Sequence, residues 1–190
     1  MRTNQAASLF CAYTGLMVLL GGWVSPELLR AGVEGHVGMK PFSCAAFVLC
    51  APILYWLHSS AWPQRLARGV CGVALLVLVC AALVAPVMLD RFNSLLLPDE
   101  PNPVATPYPG VPSLLTIAQF AAIAVFGLRR FRWRHVVGWA FAVVSALVLI
   151  GHATGIELLT GHVPGWSGGQ AIPSAVLFAV VGLFGLRPCK

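Results

Sequence analysis

The chain has 190 residues, of which 58% are hydrophobic and 9% charged, and a formal net charge of +6. An ordinary soluble domain is about 25% charged, so this chain has too little charge to cover a soluble surface. The positive balance does not indicate a nucleic-acid binder, because the cations stand at the edges of apolar runs and in one short loop.

Six stretches contain no Asp, Glu, Lys or Arg: residues 6–24, 41–57, 70–89, 112–128, 136–150 and 171–186. Each is read as a membrane-spanning helix, which predicts an all-α integral membrane protein with six transmembrane helices. The first run follows a single cation, Arg2, and is 19 residues long. The apolar region of a secretory signal is about 7–15 residues. Ser25-Pro26-Glu27 stands where a small-x-small cleavage site would be, so an uncleaved signal anchor is expected.

The connections alternate in charge. Glu27, Glu34, Asp90, Asp99, Glu100 and Glu157 fall on one side, accompanied by Arg30, Lys40 and Arg91. Arg2, Arg65, Arg68, Arg129, Arg130, Arg132, Arg134, Arg187 and Lys190 fall on the other with no acid among them. Cations flanking spans are retained in the cytoplasm. A multi-pass protein of the bacterial inner membrane is expected, with both termini cytoplasmic and the lipid bilayer as its first partner.

The chain repeats itself. Pro26-Glu27-Leu28-Leu29 leads through Gly35-His36-Val37 and Met39-Lys40 to Pro41, and Ile156-Glu157-Leu158-Leu159 leads through Gly161-His162-Val163 to Pro173. A looser middle copy runs from Ser94-Leu95-Leu96-Leu97 to Pro109-Gly110-Val111-Pro112. Self-similarity at this scale predicts repeated units. Here they are three helical hairpins over residues 6–57, 70–128 and 136–186, in one membrane domain. Pro41, Pro112 and Pro173 are expected to start the returning helices, since a missing N–H is harmless in the first turn. Ser43, Ser113 and Ser174 can offer hydroxyls there. Residues 41–57 and 112–128 make about 25 Å of helix each, short for a hydrocarbon core of about 30 Å.

Packing cues follow along the chain. Pro52 and Pro86 predict kinks, and Trp23, Trp56 and Trp139 fall at expected boundaries. Small residues four apart predict helix contacts at Ala118 and Ala122, at Ala142 and Ala146, and at Ala171, Ala175 and Ala179. Gly151 and Gly155 make a GxxxG at the outer end of the fifth span. Five cysteines lie within apolar spans and read as packing residues, and none of the six forms a CxxC pair.

No ionisable side chain lies inside a span, which disfavours a proton or ion path. Gln119 and Ser145 are the main polar groups near mid-span, and Gln119 is expected to bond across to a neighbouring helix. His36, His152 and His162, with Glu34 and Glu157, form the candidate extracytoplasmic sensing set. Their spacing matches no metal motif, so neither a metal nor a cofactor is expected. His58 and His135 read as interfacial anchors. No nucleophile with a base, and no phosphate loop, is present, so the chain is not expected to be an enzyme. Arg129, Arg130, Arg132 and Arg134, with Phe131 and Trp133 between them, form a basic cytoplasmic loop suited to anionic lipid.

Met39-Lys40-Pro41 entering a helix, Pro109-Gly110 before a second Pro-started helix, and a last helix closing on Leu186-Arg187-Pro188 resemble a known arrangement. It is similar to the N-terminal membrane region of bacterial sensor histidine kinases and related cyclic-dinucleotide signalling proteins. That family usually follows the proline with Asn-Thr-Ala, where this chain has Phe42-Ser43-Cys44, Ser113-Leu114-Leu115 and Ser174-Ala175-Val176. Its last helix leads into PAS, kinase or cyclase domains, whereas this sequence ends at Lys190. The resemblance implies a sensory input module, stand-alone or truncated, working with a kinase or cyclase partner or as a homo-oligomer. A structural or assembly subunit of a membrane complex is the alternative, and a small permease the second.

Overall fold

A computed structural model describes residues 3–24, 39–96, 110–129, 133–163, 166 and 169–186. Among them the chain is all-helical: α1 (Thr3–Val24), α2 (Pro41–Tyr55), α3 (Trp62–Val84), α4 (Pro86–Leu96), α5 (Leu114–Leu128), α6 (Arg134–Thr154) and α7 (Ile172–Val180). A 3-10 turn (Glu157–Thr160) follows α6, and a π turn (Val181–Gly185) continues α7. Of these, α3 and α6 are long and apolar enough to cross a membrane, while α2, α5 and α7 with its π turn are shorter apolar helices.

Local chemistry sets the boundaries. Lys40 and Ala171 are extended, and prolines occupy the first turns of α2 and α7, where an unbonded nitrogen is tolerated. The middle copy differs from expectation. Pro112 precedes the helix, and Ser113 is the cap, its Oγ accepting from the Thr116 N–H at 3.2 Å. A true serine cap satisfies a backbone donor that a proline start cannot use. Between α3 and α4, Ala85 leaves helical geometry at φ −128° and ψ 54°. The residue before a proline is driven out of the helical region, so the kink expected at Pro86 is a break. That break sends the chain on as α4, so Ser94 to Leu96 are helical rather than loop. Gly155 closes α6 in the left-handed region at φ 73°, which a glycine adopts without steric penalty.

The helices pair as antiparallel hairpins. On α1, Asn4 meets Leu54, Ser8 meets Ala51 and Gly15 meets Cys44 of α2. On α3, Arg68 and Gly72 meet Gly127 of α5. On α6, Gly138 meets Gly182 and Phe141 meets Phe178. The returning helices α2, α5 and α7 form the centre. Phe47, Phe120 and Phe178 are fully buried there, with ring centroids 4.8, 4.8 and 4.9 Å apart. Tilted and edge-on contacts at this spacing are favourable beyond the area they bury.

The repeat has a register that the serines misjudge. The third residue of each inner helix is a buried hydroxyl: Ser43, Thr116 and Ser174. The central phenylalanine follows four residues later in every case. Thr116, not Ser113, is therefore the structural counterpart of Ser43 and Ser174.

Close approach rests on glycine more than on the alanine faces. A Cβ at Gly15 would lie 2.9 Å from the Cys44 carbonyl oxygen, one at Gly72 3.0 Å from that of Ala124, and one at Gly138 2.7 Å from that of Gly182. Ala171 and Ala175 are buried as expected, but Ala118 and Ala146 are exposed. Gly151 and Gly155 do not make a helix-packing motif: Gly151 admits Leu159 of the 3-10 turn, and Gly155 ends the helix.

Candidate functional site

Each end of the bundle gathers polar side chains, because each end has helix termini to satisfy. An α-helix leaves four N–H groups and four carbonyls without intrahelical partners.

At the end where α2, α5 and α7 begin, Ser113 Oγ lies 3.0 Å from Thr116 Oγ1. One turn further in, Gln170 Nε2 donates to Gln119 Oε1 at 2.8 Å, with both residues buried. Gln119 does bond across, to a residue just ahead of α7. The Gln170 main chain is held as firmly as its side chain. Its N–H donates to the Thr160 carbonyl at 2.7 Å, and its carbonyl lies 2.7 Å from His152 Nε2. A carbonyl can only accept, so that ring nitrogen carries the hydrogen. Thr160 Oγ1 in turn donates to the Glu157 carbonyl at 2.7 Å. A Cβ at Gly169 would lie 2.5 Å from Thr160 Oγ1, so the strand of chain entering α7 is pressed onto the 3-10 turn.

Gln119 Nε2 and Gln170 Oε1 are enclosed without a protein hydrogen-bond partner. A buried amide atom left this way costs about 1–3 kcal/mol. The pair presents one unpaired amide NH2 group and one carbonyl acceptor, which suits a small uncharged polar group. Among the described residues no nucleophile and base come together here.

At the opposite end the inner helices expose carbonyls, and the outer helices supply donors. Asn4 Nδ2 donates to the Leu54 carbonyl at 2.9 Å and Ser8 Oγ to that of Ala51 at 2.6 Å. Arg68 is buried and bridges two helix ends, donating from Nη1 to Leu57 at 2.9 Å and from Nε to Gly127 at 3.2 Å. A cation at helix C-termini is favoured by the partial negative charge there. Arg134 Nη2 donates to His58 Nδ1 at 3.1 Å.

The sensing residues expected from sequence are treated unequally. His152 is part of the Gln170 link. Glu157 opens the 3-10 turn with an exposed side chain, and half-buried His162 follows it. Glu34 and His36 lie outside the described residues, as do Arg130 and Arg132. Arg129 is exposed at the end of α5, and Arg134 begins α6. Among the described residues no three His, Cys, Asp or Glu side chains gather as a metal site would require. Sequence reasoning missed Gln170 and Thr160, although a glutamine immediately before an apolar Pro-containing helix was a readable signal. It also placed Arg68 in a connection, where the structure makes it a buried helical residue.

The chain matches no protein-family model, no curated protein and no solved structure.

Proposed function

We propose that this chain is a six-span sensor module of a bacterial inner membrane. It takes its input at the end where α2, α5 and α7 begin, and it passes a movement of α7 to a separate kinase or cyclase. The membrane reading is supported by α3 and α6, whose apolar windows are each only 28% buried. A core helix of a soluble protein would bury most of such a surface. It is supported also by charge: Arg65, Arg68, Arg129 and Arg134 lie at one end with no described acid, while Asp90 and Glu157 lie at the other with Lys40 and Arg91.

The observation that carries the sensory reading is the position of Gln170. It sits immediately before α7, tied outward to His152 and Thr160 and inward to Gln119. Any stimulus that shifts the 3-10 turn or engages His152 pulls on the first turn of α7. The far end of α7 is the π turn, packed against α1 and α6. Such turns recur at functional sites because they accommodate a change of helical register. Met39 and Lys40 of the Met-Lys-Pro turn are buried at the head of α2, which supports a structural role for the motif behind the family resemblance.

Capture of the full chain from its native membranes tests this reading. A co-purifying kinase or cyclase is expected, and its output should change in Gln170→Ala. Recovery only of metabolic enzymes in fixed stoichiometry would overturn it in favour of an assembly subunit. Reporter fusions in the loop over residues 129–134 should report the cytoplasm; a periplasmic signal there would remove the orientation.

A further inference from the structure

An apolar groove of about 620 Å³ runs along the exposed face of α3 to the end of α5, with Trp62, Arg65, Leu66, Gly69, Val73 and Leu128 on its walls. That volume lies in the range of small-molecule sites. Gly69 opens its floor, since a Cβ there would meet nothing within 4 Å. The mouth is cationic. The Arg65 guanidinium stands 5.9 Å from the Trp62 ring centroid, and exposed Arg129 follows Leu128 directly. The carboxylates of Asp90 and Glu157, the acids among the described residues, lie at the other end of the bundle.

We propose that this groove binds one anionic phospholipid, its acyl chain on Gly69 and Val73 and its headgroup at Arg65 and Arg129. The inference rests on the membrane reading above. Within hydrocarbon an apolar slot is filled by acyl chain or by another apolar helix. The charge selects between them. A second copy lying alongside in the same orientation would bring its own unopposed cations to the same level, whereas an anionic headgroup neutralises them. Trp62 beside Arg65 is the pairing expected where a side chain reaches from the apolar slab to the headgroups.

Native mass spectrometry of the full chain in neutral detergent, titrated with phosphatidylglycerol and separately with phosphatidylcholine, tests this. One tightly held phosphatidylglycerol is expected, bound about tenfold better than phosphatidylcholine. Arg65→Gln should abolish that preference, and Gly69→Leu, which fills open space and leaves the helix intact, should weaken both lipids. Equal binding of the two lipids by the unmodified chain, or unchanged binding in both variants, would overturn the proposal. Dimers displacing lipid would overturn it in favour of a second copy. Failure of the membrane reading itself looks different: the chain would then remain soluble without detergent.

Discussion

The inner helices α2, α5 and α7 and the outer helices α1, α3 and α6 are all largely apolar, yet they differ in how much of their length is buried. Inner α2 has 15 residues and buries ten of them, including Phe42, Phe47 and Leu54. Outer α3 has 23 residues and buries five, leaving Leu66, Val70, Val73 and Val77 on the surface. The inner helices are also the more apolar of the two sets. Size at the contact separates them. Phenylalanines fill the centre, and glycines let each outer helix lie against its inner partner.

The comparison can be broken most severely at the centre. Phe178→Ala removes a ring that touches Phe47, Phe120 and Phe141. It is expected to cost about 3–5 kcal/mol, read as a fall in unfolding midpoint in detergent. Gly182→Val forces a side chain onto the Gly138 carbonyl. By overpacking it should cost about 3 kcal/mol, and the same assay should show no loss for Val at Gly69. Arg68→Met leaves the Gly127 and Leu57 carbonyls without their donor. A loss of about 2 kcal/mol is expected. Gln119→Leu strands the Gln170 amide and should cost about 1–2 kcal/mol, most of it regained in the double variant with Gln170→Met. The regain separates an unpaired amide from simple misfit. The smallest effect sharpens the outer side: Val77→Ala on exposed α3 should stay within about 0.5 kcal/mol.

How much of this was legible depends on range along the chain. Six of the helices were readable because each contains most of a charge-free run, and Pro86 marked a bend, but α4 carries Asp90 and Arg91 and was not foreseen as a separate helix. The middle repeat was misaligned because Ser113 and Ser43 look alike in sequence, while α5 begins two residues later than its proline suggests. The alanine faces misled at Ala118 and Ala146, since alanine is tolerated on exposed and buried helix faces alike. His152 was readable as an outer-end residue, but its partner Gln170 was not, because that bond forms only when α6 and α7 are side by side.

The sequence by itself determined that the chain is helical and which prolines and glycines stand near helix ends, and that acids are kept from the end of the bundle where Arg65, Arg68, Arg129 and Arg134 lie. These are local properties, settled by proline, glycine and the spacing of charge. Only the tertiary structure decided which three helices sit at the centre, and that Gln119 meets Gln170 across 51 positions. Those choices depend on which surfaces can approach within van der Waals contact, and no stretch of chain carries that information alone.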